Sequence, residues 1–346
     1  RRDGVVAAAR LARALARRGA VAALAAFLLA AGRGLAGPAS RPSPLTLTWA
    51  AGAVGGGWYQ QAGGLAEVLQ RRLPWLQVRV VPGGGVQNVL AVASGQVELA
   101  WGLPPIVDAA IKGQEPYDRP VQGVRAILAG LGVNTFHVAV AADSALRSFD
   151  DIFRSGRNLR ITTPVVGSSD EWVFRKILAY YGTSYEELQR TRGFRFFPVS
   201  YQEQATLFKD RNVDVFFTQL AVPASAIQEA ALGRRMRLLS FPEGLREHLR
   251  GFALGVGTIP PGVYQNVENT APVVTMTMGN VILVHESVPA DAVYEITRVL
   301  NETALQEVKA VQAQFQTYDP ASGWRDTGAP LHAGAERWYR EAGHLR

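Results

Sequence analysis

From residue 45 onward the hydrophobic pattern of the chain alternates between two periods. Short apolar runs, LTLTWA at 45–50 and QVRVV at 77–81, predict buried strands. Between them, apolar residues recur every three or four positions, which predicts a helix with one buried face. That face carries Trp58, Ala62, Leu65, Leu69 and Leu73. A second helix, VQNVLAVASG, is predicted to end at Gly95, and the strands ELAWG and VRAILAG follow. This alternation favours an α/β fold.

A second series of the same kind begins with FHVAVAADS at 136–144. The runs LRITTP, FRFFPVS and VDVFFTQ predict strands, and each precedes a predicted helix, as in a second parallel sheet. A further strand, VILVHES, leads into a helical pattern from Ala290 to about Phe315, either one long helix or two short ones. We therefore predict two α/β lobes, 45–134 with 276–346 and 135–275, joined by two crossings that act as a hinge.

Charge changes this picture only at the start of the chain. The net charge is +7, but residues 1–40 hold seven arginines and one aspartate, so the remainder is almost neutral. That distribution disfavours nucleic-acid binding by the body of the protein. The basic start, the apolar run at 20–31 and the small residues after it predict a signal peptide over 1–40 and a periplasmic location. An uncleaved anchor is the alternative, although the run is shorter than the roughly 18 residues that span a bilayer.

Glycines occur in the predicted turns that connect strands to the helices after them. The stretch GAVGGGWYQ follows the first strand, PGGG follows the second, and TTPVVGSSDEW gives a serine-containing turn in the other lobe. Turns of this type at strand ends face a cleft and present backbone N–H groups to an anion. A turn without any ligand is the alternative, and the spacing does not match a dinucleotide fingerprint. Asp170 either complements its helix start or points into the cleft, where it would favour an amino group.

Motifs for chemistry are scarce. The five histidines lack metal-ligand spacing, no G-x-S-x-G motif occurs, and the absence of cysteine excludes disulfides and thiolate chemistry. His285 and Glu286 are expected to form a surface pair at a strand end. We therefore predict no catalytic residues, no metal and no cofactor. Of the aromatic residues beside the turns, Trp58, Tyr59 and Trp172 are expected to form cleft walls.

Several segments together resemble the TAXI family of solute-binding receptors, which serve TRAP transporters. The segments include GGGWYQQAGGLAEVLQ, VPGGGVQNVLAVASGQVELAWG, TTPVVGSSDEWVFRKILAYYG and APLHAGAERWYREAG, and the resemblance extends from about residue 45 to 343. It implies a two-lobed periplasmic-binding-protein fold of type II and no enzymatic activity. It also implies a small carboxylate or amino acid as ligand, similar to glutamate, glutamine or 2-oxoglutarate. The partner it implies is a TRAP-type membrane permease driven by an ion gradient.

The resemblance also implies a set of ligand-binding residues. They are Gly56, Gly57, Trp58, Tyr59, Gly85, Gln87, Asn88, Gly167, Ser168, Ser169, Asp170, Gln219, Ala221, Val222 and Pro223. The chain departs from the family pattern at Trp58, at Asp170, where a threonine is common, and at Ala221, where glycine is common. A negative charge at Asp170 argues against a glutamate-like ligand. A non-transport ligand sensor, or an enzyme on the same bilobal fold with Asp170, His285 or Tyr59 as its reactive group, are the alternatives.

Overall fold

In this computed structural model, which describes residues 44–52 and 56–346, ten strands join into one mixed sheet. The predicted signal peptide at 1–40 lies outside the described residues. In chain order the strands are β1 Leu45–Ala50, β2 Leu76–Val81, β3 Leu99–Gly102, β4 Val124–Ala141, β5 Arg160–Thr163, β6 Arg195–Pro198, β7 Val215–Leu220, β8 Met236–Leu238, β9 Gly255–Ile259 and β10 Val273–His285.

Helices lie between most of these strands. The α-helices are α1 Gly57–Arg72, α2 Gly85–Ala93, α3 Pro104–Lys112, α4 Ser169–Tyr180, α5 Tyr185–Arg192, α6 Tyr201–Lys209, α7 Ser225–Gly233, α8 Glu243–Arg250, α9 Ala290–Arg298, α10 Leu305–Val311 and α11 Ala333–Glu341. Short π-helical turns occur at Asp151–Ser155 and Val299–Thr303, and short 3-10 turns at Ala313–Phe315 and Pro320–Ser322. The amphipathic pattern of α1 is confirmed, because Ala62, Leu65 and Leu69 are buried.

The same strand order occurs twice in the sheet. The first half-sheet runs β2-β1-β3-β10-β4, and the second runs β6-β5-β7-β4-β8. In each half three parallel strands are followed by one strand that runs antiparallel to them and then by one that runs parallel to them again. This order, with one strand of each half supplied by the crossing chain, is that of the type II periplasmic-binding-protein fold. The predicted α/β fold class is confirmed.

The two crossings are continuous strands, which differs from the prediction. VRAILAG and FHVAVAADS were expected to be separate strands in separate sheets, but both belong to β4. Gly130 and Gly132, with φ of 87° and 81°, interrupt the apolar pattern, yet β4 keeps its pairing with β10 on both sides of them. The predicted lobe boundaries at 134–135 and 275–276 fall inside β4 and β10. The two lobes with those bounds stay a prediction.

The helical pattern after Ala290 forms two short helices, the second of the two forms predicted for it. The π-helical turn Val299–Thr303 separates α9 from α10. Helix α10 packs on α1, where Glu307 pairs with Arg71 at 2.9 Å. The last segment of the chain thus returns to the first half-sheet, as predicted.

Candidate ligand-binding cavity

A cavity of about 300 Å³ lies where the parallel strands of both half-sheets end. The segments that follow the six strands β1, β2, β3, β5, β6 and β7 all contribute to its lining. The lining residues are Gly52, Gly56, Gly57, Trp58, Gln61, Gly83, Gly84, Gly85, Leu103, Asn134, Pro164, Val165, Ser168, Ser169, Asp170, Val199, Ser200, Tyr201, Gln219, Leu220 and Ala221. Carboxyl ends of strands in open α/β sheets are the usual position of a ligand.

Five helices begin at this cavity. The residues that precede the first turns of α1, α2, α3, α4 and α6 all line it, namely Gly56, Gly84, Leu103, Ser168 and Ser200. The first N–H groups of a helix have no acceptor within the helix, and the helix dipole makes this end positive. Helix α3 begins with Pro104 and Pro105, so it contributes its dipole but no free N–H group. Converging helix starts therefore give the cavity a field that favours a negatively charged group.

Close packing explains two of the glycines on the side of the first half-sheet, Gly83 and Gly85. A Cβ atom on Gly85 would lie 2.9 Å from Ser169 Oγ, so a residue of α4 packs directly on the start of α2. A Cβ atom on Gly83 would lie 2.1 Å from Asn88 Oδ1. Because larger side chains do not fit, the backbone itself forms this part of the wall.

Asn88 fixes the position of the second glycine turn, residues 83–85, from the side away from the cavity. Its Oδ1 accepts a hydrogen bond from Gly84 N at 2.9 Å, and its Nδ2 donates to the carbonyl oxygens of Ala51 and Trp101, both at 2.8 Å. These bonds use both N–H groups of the amide and connect the turn to the end of β1 and to β3. Asn88 therefore positions the wall and does not line the cavity.

Trp58 forms one aromatic wall, as predicted from its place beside the glycine turn. Its ring stacks on Trp101 with 6.3 Å between centroids, and its Nε1 donates to Asn280 Oδ1 at 3.1 Å. Asn134, which also lines the cavity, donates to the same oxygen at 2.7 Å. These contacts fix the orientation of the indole ring.

Asp170 supplies the one carboxylate among the lining residues that the structure describes, and its side chain is 2% exposed. Its Oδ2 accepts from the Tyr201 hydroxyl at 3.0 Å, and its Oδ1 accepts from the Ser169 hydroxyl at 3.4 Å. Burial raises the pKa of Asp170 to about 6, although these hydrogen bonds oppose the shift. Helix α4 is capped by the hydroxyl of Ser168, which accepts from Glu171 N. Asp170 therefore lines the cavity and also accepts from its own N–H in the first turn of α4, so both predicted positions describe it.

Two buried glutamines bring unused hydrogen-bonding atoms to the same cavity. Gln61 is 1% exposed and Gln219 is 5% exposed. Within residues 44–52 and 56–346, no group pairs with Gln61 Oε1 or Gln219 Nε2. Buried polar atoms are normally hydrogen-bonded, so these two atoms of the cavity wall, which have no partner in the described part of the chain, would gain one if a small rotation of the side chain turned them toward a bound molecule. Sequence analysis missed Gln61, although a glutamine on the apolar face between Trp58 and Leu65 was a usable signal.

The cavity brings together most of the residues predicted from sequence. Those that line it are Gly56, Gly57, Trp58, Gly85, Ser168, Ser169, Asp170, Gln219 and Ala221. Those that do not line it are Tyr59, Gln87, Asn88, Gly167, Val222 and Pro223.

These six residues have other positions in the fold. Tyr59 packs against the buried core of the first half-sheet, and Val222 packs against a core formed by α6, α7 and β7. Gln87 and Pro223 are exposed. Gly167 lies in an exposed turn, where its N–H donates to Glu171 Oε2 at 3.2 Å. Their predicted direct role as cavity walls does not match the geometry.

Trp172 also differs from its prediction as a cleft wall. Its side chain is 2% exposed, packs edge-on against Phe252, and donates from Nε1 to the carbonyl oxygen of Glu115 at 3.1 Å. The first turn of α4 points Asp170 at the cavity, and Trp172 lies two positions further around the helix. Trp172 therefore belongs to the core.

Outside the cavity the described residues offer little chemistry. His285 ends β10, and its Nδ1 lies 2.7 Å from Ser287 Oγ, while Glu286 pairs with Arg125 at 2.8 Å. Over the described part of the chain, no cluster of three or more His, Asp or Glu side chains is suited to a metal ion. None of the helices described in residues 44–52 and 56–346 has the length and hydrophobicity needed to cross a membrane.

Comparison with known proteins gives one family match and several distant structural ones. The sequence profile of the NMT1-like family matches residues 49–343. The alkanesulfonate-binding protein SsuA from Xanthomonas axonopodis pv. citri is 17% identical, with 88% of this chain and 95% of that chain covered and a TM-score of 0.42. The aliphatic sulphonate-binding protein SsuA from Escherichia coli is 14% identical, with coverages of 88% and 89% and a TM-score of 0.42. A putative L-cystine ABC transporter protein from Listeria monocytogenes is 10% identical, with coverages of 82% and 99% and a TM-score of 0.46.

Proposed function

We propose that this chain, which belongs to the NMT1-like family, is a periplasmic solute-binding receptor without enzymatic activity. It captures a small carboxylate or amino acid in the cavity and delivers it to a membrane permease. The observation that carries the proposal is the convergence of five helix starts on one cavity that also holds unpaired, buried polar atoms. Such an arrangement suits recognition of a polar solute withdrawn from water.

The size of the cavity supports a small solute. About 300 Å³ lies at the lower end of the volumes of small-molecule sites. The uncapped helix starts at Gly56 and Gly84 support a carboxylate on the solute, because their N–H groups can donate to it without a lysine or arginine. Indeed, the described lining residues include neither of these basic side chains.

Residues from both half-sheets line the cavity, which supports a receptor that closes on its ligand. In such a receptor the ligand stabilises the closed state, and the permease recognises that state. The two long strands β4 and β10 join the half-sheets and form the proposed hinge. The TRAP class of the permease rests on the sequence resemblance to TAXI receptors.

A ligand screen tests the proposal. The purified protein is heated in the presence of amino acids, 2-oxo acids and dicarboxylates, and each compound is assayed after several hours of incubation. A ligand at a hundredfold excess over its Kd adds about 2.7 kcal/mol to the free energy of unfolding. We expect a raised Tm with at least one compound and no loss of that compound. Consumption of the compound would indicate an enzyme, and no shift with any compound would contradict the proposed ligand class.

Transport is tested separately, with the receptor added to vesicles that contain the candidate permease. We expect uptake of the bound solute to require the receptor and an ion gradient, and to proceed without ATP. Uptake that requires ATP would contradict the TRAP assignment but not the receptor function. If the ligand binds and no permease takes it up, the protein is better described as a ligand sensor.

A further inference from the structure

The carboxylate of Asp170 faces the cavity without a cation from this protein. We propose that Asp170 binds a protonated amine of the solute, so that the ligand is an amino-bearing carboxylate and not a 2-oxo acid or a simple dicarboxylate. This inference rests on the proposed function and names the ligand class of the same cavity. It follows from the surroundings of Asp170, from two unpaired glutamine atoms, and from the distribution of helix starts.

The described surroundings of Asp170 include the start of α4 and neutral hydrogen-bond donors, but no cationic side chain. Its hydrogen-bond partners are the hydroxyls of Tyr201 and Ser169 and the backbone N–H groups of Asp170 and Gln219, all of them neutral. No described Lys, Arg or His side chain forms an ion pair with it. The neighbouring Glu171 is equally buried but has Arg175 at 3.2 Å. Buried carboxylates normally have such a partner, and at Asp170 a ligand cation would supply it.

A protonated Asp170 that donates to an anionic ligand is the competing arrangement. Burial raises the pKa of Asp170 to about 6, so the group is mostly ionised at neutral pH. An ionised carboxylate repels a ligand carboxylate and attracts an ammonium group. The two arrangements therefore predict opposite preferences between matched ligands.

Two further polar side chains of the cavity wall, Gln61 and Gln219, each carry a hydrogen-bonding atom without a partner among the described residues. An ammonium group has three N–H donors, and Asp170 together with Gln61 Oε1 offers acceptors for them in this cavity. Gln219 Nε2 offers a free donor, which suits a carbonyl or carboxylate oxygen of the same solute. Both free glutamine atoms are thereby used by one ligand that carries donors as well as acceptors.

The distribution of helix starts places the anionic group of the solute away from Asp170. Helices α1 and α2 begin at glycines without a side-chain cap, so their first N–H groups are available to a ligand. Helices α4 and α6 begin at Ser168 and Ser200, whose hydroxyls already accept from Glu171 N and Glu203 N. A solute with a carboxylate at the glycine turns and an amine at Asp170 would pair its carboxylate with the free N–H groups and its amine with the Asp170 carboxylate.

Calorimetric titration of the purified protein at pH 7.5 tests the inference. The probes are the amino acids and, for each, the 2-oxo acid with the same carbon skeleton, such as L-glutamate and 2-oxoglutarate, with glutarate as a further compound lacking the amine. We expect at least one amino acid to bind about tenfold or more tightly than its 2-oxo counterpart. Asp170→Asn should weaken that amino acid by about tenfold or more and reduce its advantage over the 2-oxo acid.

Glu171→Gln is the matched control, because it removes the same charge one residue away, where Arg175 compensates it. The ligand ranking should not change in this variant. If a 2-oxo acid or dicarboxylate binds at least as tightly as its amino counterpart, and Asp170→Asn does not weaken it, the inference is wrong while the receptor function stands. If no amino acid, 2-oxo acid or dicarboxylate binds, the ligand class named in the proposed function is contradicted together with this inference.

Discussion

The two sides of the cavity present different chemical groups, backbone on one side and polar side chains on the other. The first side, which we call the glycine wall, consists of Gly52, Gly56, Gly57 and the turn 83–85, and it presents backbone. The second side, which we call the serine wall, consists of the segments 168–170 and 200–201, and it presents hydroxyls and one carboxylate. Backbone N–H groups suit any anion, whereas an oriented side chain selects a particular partner. We infer that the glycine wall holds a common anionic group and that the serine wall sets specificity.

The largest effect that follows from this comparison concerns the stability of the free protein. The pKa of Asp170 is raised from 3.8 to about 6, so between these pH values the folded protein keeps a proton that the unfolded chain releases. Stability from this group is therefore present below about pH 4 and is lost as the pH rises through about 6. Asp170→Asn removes the buried charge but turns one acceptor oxygen into an N–H donor, so its free energy of unfolding at pH 7 should exceed that of the wild type by about 1–3 kcal/mol.

Denaturant titrations of the two proteins at pH 4 and pH 7 measure this difference. It should be small at pH 4, where Asp170 is protonated in the folded protein. Two ionisable groups face this region, Tyr201, whose pKa is also raised, and Glu171, which is paired with Arg175. Glu171→Gln should be no more stable than the wild type. Equal stability of wild type and Asp170→Asn at pH 7 would show that Asp170 is not an isolated buried charge.

The next effect tests whether the glycine wall must remain backbone. In Gly85→Val the Cβ atom would lie 2.9 Å from Ser169 Oγ, and two further methyl groups would occupy the cavity. We expect ligand affinity to fall by about tenfold or more, because the added side chain displaces Ser169 in the cavity wall, while the free energy of unfolding falls by about 1–3 kcal/mol. Gly63→Ala in α1 is the control, because no atom lies within 4 Å of its new Cβ and binding should be unchanged. Retained affinity in Gly85→Val would place the ligand elsewhere.

A smaller effect is expected from pH on ligand affinity. Protonation of Asp170 removes the charge that attracts an amine, so affinity for an amino-bearing ligand should fall about tenfold between pH 7 and pH 5. Titration calorimetry at both pH values measures the change. Asp170→Asn should have lost this dependence. A wild-type affinity that rises on acidification would favour the protonated form of Asp170 as a donor to an anionic ligand.

The smallest effect concerns the aromatic wall. Trp58→Phe keeps a ring above Trp101 but removes the hydrogen bond from Nε1 to Asn280. Loss of this bond within the protein lowers stability by about 1 kcal/mol and frees the ring from its fixed orientation in the wall, so affinity should fall by no more than about fivefold. Trp75→Phe, at a partly buried position outside the cavity, is a control that should leave affinity unchanged. An equal effect in both variants would mean that Trp58 acts on stability alone.

Much of the fold was predictable because the spacing of the apolar residues and the residue types in the turns agree with the strands, helices and turns that form. The first strand LTLTWA, the helix that follows it and the turn PGGG have the predicted positions. The long strand β4 was not predicted as one element, because Gly130 and Gly132 end the apolar pattern locally. Only pairing with β10, more than a hundred residues later in the chain, makes the strand continuous. Long-range pairing of this kind leaves no local signal in the sequence.

The lining of the cavity was predictable where backbone turns form the wall. It was less predictable where the lining depends on the direction in which a side chain points. Glycines at strand ends predicted the positions of the glycine wall, whereas Gly167 lies beside the serine wall without lining the cavity. Tyr59 was expected beside Trp58, but successive residues of a helix point about 100° apart, and Tyr59 turns toward the core. Gln61 lies one helical turn after Trp58 and therefore returns to the cavity. The position of Asp170 depends on Ser168 as the capping residue, which the sequence left open.

The most direct test of the central claim is a nuclear magnetic resonance titration of backbone amides with the amino acid that binds in calorimetry. We expect the amides of Gly57 and Gly85 on the glycine wall and of Ser169 and Asp170 on the serine wall to shift together and to saturate at the same ligand concentration. Shifts confined to one wall, or to residues outside the cavity, would contradict a single ligand held between the two.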